Sequence, residues 1–482
     1  MITFLVSLLI LILGYVWYSR IIERIFGISK HTQTPAYTKT DGVDYVPMHW
    51  SKTLLIQFLN IAGLGPIFGA IAGAMWGPVV FIWIVLGCVF AGAVHDYLSG
   101  MISLKQQGAS IPEIIGMYLG NPVKQGMRVF TVFLMIVVGA VFIVGPAKIL
   151  FGIAGGAISM NVWIAIIFVY YILAAVLPIQ AIIGKLYPIF GIVLICMAFA
   201  ILFGLWYYGY SIPELQWHNF RNMHNNPEQF PIFPMLFVTV ACGAISGFHA
   251  TQSPLMARCI TNETEGRRVF YGAMIIEGIV AVIWAAIGMS FFGGVSQLQA
   301  VMNEHGGNAA WVVDTMSKTM LGKFGAIMVL LGVVFAPITS GDTAFRSARL
   351  IISDIFSIPQ KMKYRILVSI PIFSAGFVLS QIDFSIIWRY MAWANQTLAA
   401  VVLWAITSYL YTHSKNYWIT FIPALFMTTV SCVYIFVAPE GFYIPMNIGI
   451  IAGLSVTAIV LFLFIRYILK KSRNNSHVFH TE

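Results

Sequence analysis

Ionisable side chains are rare in this chain, and several of them lie inside long apolar stretches rather than between them. The set comprises His95, Asp96, His249, Glu277, Asp342, Arg346 and Arg349. An ionisable group at the centre of a bilayer costs at least about 2.5 kcal/mol, so each of these residues needs a compensating role. Buried carboxyl and imidazole groups bind and release protons, and carboxylate or hydroxyl oxygens bind small cations. The sequence therefore indicates proton or cation binding within a membrane.

Two glycine-rich, partly polar segments also interrupt apolar stretches. The first runs from Asn60 to Gly69 as NIAGLGPIFG, and the second runs from Ala241 to Pro254 as ACGAISGFHATQSP. Glycine destabilises a helix by about 1 kcal/mol and interior proline by about 3 kcal/mol, and freed backbone groups at membrane depth persist only where protein or a cavity satisfies them. Each segment alone could equally be a close contact between small residues of two helices. Together they predict two discontinuous helices.

The inner ends of two discontinuous helices would supply a site for an anion. Helix N-termini carry partial positive charge and unpaired N–H groups, so a carboxylate is the expected guest. We expect this substrate site to be lined by Asn60, Ala62, Gly63, Gly65, Gly243, Ser246, Gly247, His249 and Gln252. The alternative for His249 is a hydrogen-bonded packing residue. Any small carboxylate-bearing nutrient would meet this requirement.

Two carboxyl groups are candidates for carrying a coupled proton. Glu277 lies near the middle of its apolar stretch, where burial favours the neutral acid that a proton carrier needs. The alternative is a neutral Glu277 that is hydrogen-bonded to a neighbouring helix. Asp96 presents the same choice, but its place nearer the end of its stretch slightly favours a structural role.

A further polar group follows from helical spacing, since positions 339, 342, 343 and 346 fall on one helical face. An Asp342–Arg346 pair would tie down the end of that helix. Alternatively, Thr339 and Ser340 would supply oxygens for a coupling Na⁺. The predicted coupling group thus comprises Asp96, Glu277, Thr339, Ser340, Asp342 and Thr343, and structural roles fall to Arg346, Arg349 and Asn395. We expect no cofactor beyond a coupling ion, H⁺ or Na⁺.

The composition defines the elements that must hold these residues. Of the 482 residues, 59% are hydrophobic and only 9% are charged, and the mean hydropathy is +0.87. A soluble domain carries about 25% charged residues, so a water-soluble globule is excluded. The chain is predicted to be an all-α polytopic protein of the lipid bilayer, and its net charge of +10 is not a sign of nucleic-acid binding.

About thirteen stretches are long and apolar enough to be transmembrane helices. They lie at about 2–19, 53–74, 79–103, 127–150, 161–183, 186–209, 232–253, 268–292, 323–345, 366–382, 392–411, 418–437 and 445–467. Alternating these spans places 22 of the 27 Lys and Arg residues on one side and five on the other. The positive-inside rule then predicts an N-terminus outside and a C-terminus in the cytoplasm.

The two interrupted spans are five apart, so they enter the membrane from opposite sides. Interrupted helices at matching positions of inverted repeats indicate the central site of a secondary transporter. We therefore expect one extra helix at 1–19, a five-helix repeat at 53–209, an inverted repeat at 232–411, two further helices at 418–467 and a cytoplasmic tail at 468–482.

This 5+5 arrangement is similar to the LeuT-like, amino acid–polyamine–cation class of transporters, and the chain also resembles the carbon-starvation protein A (CstA) family of bacterial carriers. The motifs are IAGLGP at 61–66, AGAVHD at 91–96, GAISGFH at 243–249, YGAMIIE at 271–277, DTAFR at 342–346 and ANQ at 394–396. Longer members carry a His-His pair where this chain has Ile56-Gln57, and they have further C-terminal membrane segments. The resemblance implies uptake of peptides or pyruvate across the inner membrane, coupled to protons, in the response to carbon starvation.

Other function classes are less well supported. No GxxxxGK[ST] loop, HExxH or GxSxG motif occurs, which argues against a pump driven by ATP and against common membrane hydrolases. The chain is therefore not expected to be an enzyme. The rivals to a carrier are a membrane-embedded nutrient receptor that binds without transport and an intramembrane enzyme that uses Asp96, His249 and Glu277. The sequence leaves the oligomeric state open.

Overall fold

The computed structural model describes residues 1–176, 183–217, 220–359 and 361–478, and their regular elements are helices. The first are α1 (Ile2–Phe26), α2 (Trp50–Ala62), α3 (Gly65–Trp76), α4 (Val80–Lys105), α5 (Ile111–Leu119), α6 (Asn121–Ile153), α7 (Met160–Val176) and α8 (Ile183–Tyr207). They are followed by α9 (residues 232–239), α10 (Gly247–Ala257), α11 (Glu263–Phe291), α12 (Val295–Glu304) and α13 (Ala309–Phe356). The last are α14 (Met362–Leu379), α15 (Phe384–Thr412), α16 (Trp418–Val437) and α17 (Met446–Val478).

The prediction of an all-helical polytopic membrane protein is confirmed. Within the described residues, nine helices are long and apolar enough to span a bilayer, or ten if the bent pair α2 and α3 counts as one span. Each of the thirteen predicted stretches overlaps one or more of the helices α1 to α17. Residues 177–182 of the fifth predicted stretch and the last four residues of the predicted tail lie outside the described residues.

Several helices are longer than the apolar stretches that predicted them. Helix α17 continues to Val478 and so includes most of the segment predicted as a tail. The sequence from 468 to 478 contains no glycine or proline that would end the helix. Helix α13 covers 48 residues around the predicted span 323–345, with one non-helical residue at Gly322. Hydropathy marks the apolar part of a helix, whereas backbone hydrogen bonding continues into the polar flanks.

The packing separates an inner group of helices from an outer group. All residues of α10 and most side chains of α4 and α11 are buried, and α6 packs along α13. Apolar side chains of α1, α7, α14 and α17 are exposed, as at Leu9, Val169, Leu367 and Phe462. Exposed apolar side chains on the outer helices are what a lipid-facing surface requires.

The connections gather at two ends of the helical bundle. At one end Lys105 donates to the carbonyl of Gly27, and Ser29 donates its N–H to the carboxylate of Glu263. At the other end Gln299 bonds to the carbonyls of Met75 and Met223. We call the first of these the basic end, because the arginine cluster described below also lies there.

Candidate functional site

The first predicted break lies between α2 and α3. Helix α2 ends at Ala62, the backbone angles of the next residue, Gly63 (φ 14°, ψ −134°), are not helical, and the axes of the two helices differ by 54°. Helix α3 restarts at Gly65-Pro66, where a proline in the first turn sacrifices no helical hydrogen bond. The predicted discontinuity of this helix is confirmed.

The second predicted break lies between α9 and α10. Helical structure stops after Thr239 and resumes at Gly247, so the intervening residues 240–246 form a non-helical crossing. Ser246 precedes the first turn of α10, but its hydroxyl does not cap that turn. The sequence therefore located this discontinuity correctly, although α10 continues to Ala257, beyond the predicted end at 253.

The two breaks lie directly against each other. A β-carbon added at Gly65 would collide with Cys242, and one added at Gly69 would lie 2.9 Å from the carbonyl oxygen of Thr239. A β-carbon at Gly243 would lie 4.0 Å from Cα of Pro66. The glycines thus allow the backbones of the two discontinuous helices to approach closely at their weak points.

Polar side chains around the breaks have atoms without hydrogen-bond partners in the described part of the chain. Both amide atoms of Gln57 and Asn60, the hydroxyl of Ser246 and Oε1 of Gln252 belong to this set, and all four side chains are fully buried. A buried polar group left unsatisfied costs about 1 to 3 kcal/mol. Such a concentration of unsatisfied groups marks a place where a polar ligand or water would bind.

Helix α6 places an aromatic side chain, Phe142, against both breaks, and the sequence did not predict it. A β-carbon at Gly63 would lie 2.7 Å from Cζ of Phe142, and the ring centre of Phe142 is 6.0 Å from that of Phe248 in α10. Phe142 therefore connects the first break with the start of α10. With 36 phenylalanines in an apolar chain, no sequence signal distinguishes this one.

Helix α15 holds both halves of the second broken helix. The side-chain amide of Gln396 donates to the carbonyl of Phe237 in α9, at 3.2 Å. A β-carbon at Gly247 in α10 would lie 2.6 Å from the carbonyl oxygen of the neighbouring Asn395. The structural role of Asn395 stays a prediction, because this contact involves only its backbone carbonyl. Gln396 belongs to the ANQ motif, which gave it no role of its own.

Four ionisable side chains form a buried cluster between α4, α10 and α11. Nδ1 of His95 lies 2.8 Å from one oxygen of Asp96, and Nδ1 of His249 lies 3.0 Å from the other. Nε2 of His249 lies 3.5 Å from Oε2 of Glu277. All four side chains have 0% exposure. Three residues predicted from separate apolar stretches are thus brought together, and His95 joins them.

The polar residues of α13 form a second group beside α2. The hydroxyl of Ser340 donates to the carbonyl of Leu59 at 2.9 Å, one turn before the first break, and Thr339 donates to the carbonyl of Ala336 at 2.6 Å. The hydroxyl of Thr343 lies 3.0 Å from the carbonyl of Ser340. These hydroxyls serve helix contacts. Among the described residues no group of three or more His, Cys, Asp or Glu side chains could hold a metal ion.

Asp342 and Arg346, which were predicted to pair with each other, also contact other helices and a connection. Asp342 accepts a hydrogen bond from the hydroxyl of Tyr187 at 2.9 Å. Arg346 forms an ion pair with Asp44 at 3.3 Å, and Arg349 lies 3.7 Å from the same carboxylate. All three members of this ion-pair group are at most 2% exposed. Asp44, in the connection before α2, carried no sequence signal of burial.

The charge of Asp44 is set by its arginine neighbours. Burial alone would raise the pKa of this carboxyl, but the guanidinium groups of Arg346, Arg349, Arg258 and Arg365 outweigh burial and hold the pKa below its usual range. A carboxyl whose pKa is depressed in the folded state stabilises it above its ordinary pKa, and this contribution is lost as the pH falls through the depressed value. The contact between the connection and α13 is therefore charged at neutral pH.

We expect Asp44→Asn to loosen the basic end of the molecule. Removing one partner of a buried ion pair costs about 3 to 5 kcal/mol, and the buried thiol of Cys259 lies 3.8 Å from the carbonyl oxygen of Asp44. Maleimide labelling of Cys259, in a background with Cys196→Ala and Cys432→Ala, should become about tenfold faster or more.

The matched control for this prediction is Glu113→Gln. Glu113 also pairs with two cations, Lys124 and Arg128, but it belongs to α5. Labelling of Cys259 should not change in this variant. Equal labelling rates in Asp44→Asn and in the unmodified chain would show that the ion pair does not hold this end closed.

Comparison with known proteins places this geometry in a family. The sequence matches the carbon starvation protein CstA family over residues 1–162 and 152–323. It is 43% identical over 346 residues to an uncharacterized membrane protein of Haemophilus influenzae, a match that covers 62% of this chain and 93% of the relative.

Two more distant relatives carry functional names. The peptide transporter CstA of Campylobacter jejuni is 29% identical over 57% of this chain, and the pyruvate/proton symporter BtsT of Escherichia coli is 27% identical over 69% of it. These matches span 48% and 56% of the respective relatives, so the chain aligns with about half of each.

Solved structures with the same fold are LeuT-fold proteins. A manganese transporter of Eremococcus coleocola superposes with a TM-score of 0.54 and 12% identity, covering 90% of this chain and 99% of that protein. MhsT in complex with L-phenylalanine superposes with a TM-score of 0.53 and 14% identity, covering 87% and 97%. At this identity the likeness concerns the fold.

The fold and the relatives together define a membrane transporter of the LeuT fold, not an enzyme. The chain belongs to the carbon starvation protein CstA family.

Proposed function

We propose that this chain is a proton-coupled secondary transporter that imports a small carboxylate-bearing nutrient, a peptide or pyruvate, by alternating access. The observation that carries the proposal is the contact between two helix breaks beside a buried cluster of two carboxyl and two imidazole groups. Discontinuous helices at the bilayer midplane form the binding sites of secondary transporters. A role in the response to carbon starvation follows from the family.

The proposed substrate site lies where the N-terminus of α10 meets the first break. The substrate carboxylate would accept hydrogen bonds from amides near Gly65 and Gly247, since helix N-termini favour negative charge. The unsatisfied side-chain amide of Asn60 and Oε1 of Gln252 would bind other polar groups of the substrate. Ala62, Gly63, Gly243 and Ser246 complete the proposed lining.

The proposed coupling ion is a proton that binds within the cluster of Asp96, His249 and Glu277. The name of the Escherichia coli relative, a pyruvate/proton symporter, supports this choice. The alternative is Na⁺ bound at Thr339 and Ser340. This alternative is less favoured, because both hydroxyl groups already donate hydrogen bonds to backbone carbonyls. In either case the chain would lie in the inner membrane with its basic end facing the cytoplasm. Residues 53–209 and 232–411 would form two inverted five-helix repeats.

The decisive experiment is uptake of radiolabelled pyruvate or dialanine into proteoliposomes that contain the full chain. With a pH gradient, acidic outside, we expect accumulation of one of the two substrates and loss of that accumulation when a protonophore is added. A Na⁺ gradient at equal pH should drive no accumulation. Counterflow of the labelled substrate without any gradient should accompany the uptake.

Each alternative predicts a different result. Binding without counterflow would identify a receptor, and a chemically altered substrate in sealed vesicles would identify an enzyme. Accumulation driven by Na⁺ alone would move the coupling site to the residues of α13. Any of these results would contradict the proposal.

A further inference from the structure

The cluster of Asp96, His249 and Glu277 has a geometry suited to moving a proton rather than only holding one. Both ring nitrogens of His249 face a carboxyl group, Asp96 on one side and Glu277 on the other. A carboxylate only accepts hydrogen bonds, so each of these contacts needs a proton on the ring or on the carboxyl. Neither oxygen of Glu277 has a hydrogen-bond partner within the described residues.

The two carboxyl groups lie at different depths. Both Lys105, at the end of α4, and Glu263, at the start of α11, contact the segment after α1 at the basic end. Asp96 is nine residues from Lys105 and Glu277 is fourteen residues from Glu263. At a rise of 1.5 Å per residue, Asp96 is about 13 Å from that end and Glu277 about 21 Å. The cluster therefore extends along the proposed direction of transport.

We propose that His249 passes the coupled proton from Glu277 to Asp96, and that His95 is a positioning residue for Asp96. In this step the protonated carboxyl of Glu277 gives its proton to Nε2 of His249, while Nδ1–H gives its proton to the carboxylate of Asp96. The imidazole is neutral before and after the step and changes only its tautomer. The negative charge moves from Asp96 to Glu277, so atoms and charge balance. The inference rests on the proposed function and specifies its coupling.

The relay also connects the proton to the substrate site. His249 lies in the first turn of α10, two residues after Gly247 at the second break, whereas Asp96 and Glu277 lie on the continuous helices α4 and α11. Each proton position therefore changes which of the continuous helices holds α10 by a charged hydrogen bond. The other titratable groups beside the relay are the thiols of Cys88 and Cys242.

His95 has one ring nitrogen on Asp96, and its Nε2 has no hydrogen-bond partner in the described structure. It therefore fixes the orientation of the Asp96 carboxylate, which leaves the second oxygen of Asp96 for His249. Among the described residues no hydrogen bond or ion pair joins His95 to Glu277, so the effect of His95 on coupling passes through Asp96.

The test uses the reconstituted full chain with His249→Gln, and with His413→Gln, just after the end of α15, as a matched control. In His249→Gln we expect uptake driven by a pH gradient to fall about tenfold or more. A positioned proton-transfer group typically contributes about a hundredfold or more to a rate, so this expected loss is a conservative one. The pH dependence of uptake should flatten, and slower counterflow should remain. His413→Gln should behave as the unmodified chain does.

A second measurement does not depend on transport. Infrared spectra of the reconstituted protein, recorded during acidification, follow the carbonyl bands of buried carboxylic acids, and Asp96→Asn and Glu277→Gln assign them. Because His249 links the two carboxyl groups, His249→Gln should move both bands to a different pH. His95→Ala should move the midpoint of the Asp96 band to higher pH, and His95→Asn, whose amide can replace Nδ1, should restore it.

The two measurements separate the inference from the proposed function. If His249→Gln leaves both carboxyl bands at their original pH, the relay is wrong, whether or not the chain transports pyruvate or dialanine. If the bands move as expected but neither substrate is transported by the unmodified chain, the proposed function is wrong while the linked proton site stands. Unchanged coupling in His249→Gln would also overturn the relay.

Discussion

Gly247→Leu and Gly63→Leu should each abolish transport while the protein is still inserted in the membrane. A β-carbon at Gly247 would lie 2.6 Å from the backbone N of Ala399 and 2.6 Å from the carbonyl oxygen of Asn395, so α10 could not keep its position against α15. At Gly63 the side chain would meet the ring of Phe142 at 2.7 Å. Counterflow of labelled substrate measures the loss.

The matched control is a glycine on the wall of the same bundle. Gly152 in α6 has no atom within 4 Å of an added β-carbon, so Gly152→Leu should retain full counterflow. Size-exclusion profiles establish that each variant is folded. Normal counterflow in folded Gly247→Leu or Gly63→Leu would show that the breaks are not needed for binding or movement.

A compensating pair makes this prediction independent of a folding defect. In Gly243→Ala the new β-carbon would lie 2.6 Å from Cβ of Ala281, and its other neighbours are at ordinary contact distances of 3.9 and 4.0 Å. Such overpacking costs about 1 to 3 kcal/mol, and transport should fall. Adding Ala281→Gly removes the clash and should restore transport. Failure of the double variant to recover would mean that the crossing needs glycine for its backbone rather than for space.

The discontinuities were predictable because their cause is local. Glycine and proline destabilise the helix only at and next to their own positions. The sequences of residues 60–69 and 241–254 were therefore sufficient to locate both breaks. The same reasoning could not give their contact, which depends on the absence of β-carbons at Gly65 and Gly69 and on the positions of Cys242 and Thr239.

The ionisable cluster shows where sequence reasoning ends. Asp96, His249 and Glu277 could each be selected by the cost of burying them. The contact between Asp96 and His249 joins residues that are 153 positions apart in the chain, and helical periodicity cannot predict a contact at that separation. The sequence therefore proposed separate roles for His249 and for the two carboxyl groups, whereas the structure gives all three one contact network.

The ion pair of Arg346 shows the opposite limit. Spacing along one helix suggested Asp342, four residues earlier, because local rules consider only neighbours on the same element. In the fold, Arg346 forms an ion pair with Asp44, which is 302 positions away and lies in a connection that looks solvated in the sequence. A net charge of +10 does not reveal which arginines are buried.

Glu277→Gln should separate uptake from the proton gradient. The amide has the size of the carboxyl group but cannot release a proton. The side chain should therefore still pack against Nε2 of His249, which lies 3.5 Å from Oε2 of Glu277 in the unmodified chain, but position 277 can no longer bind and release a proton. Accumulation driven by a pH gradient should disappear, because substrate then equilibrates across the membrane. Counterflow should remain measurable, since the breaks and their amides are unchanged.

The control for this substitution is Glu440→Gln. Glu440 is also a buried carboxyl group, at 3% side-chain exposure, but it lies in the connection between α16 and α17 and pairs with Arg389 of α15. Its variant should accumulate substrate normally. An unchanged pH dependence in Glu277→Gln would remove Glu277 from the coupling mechanism. Loss of counterflow together with accumulation would instead make it part of the substrate site, because a residue that only carries the proton is not needed for exchange at equal pH.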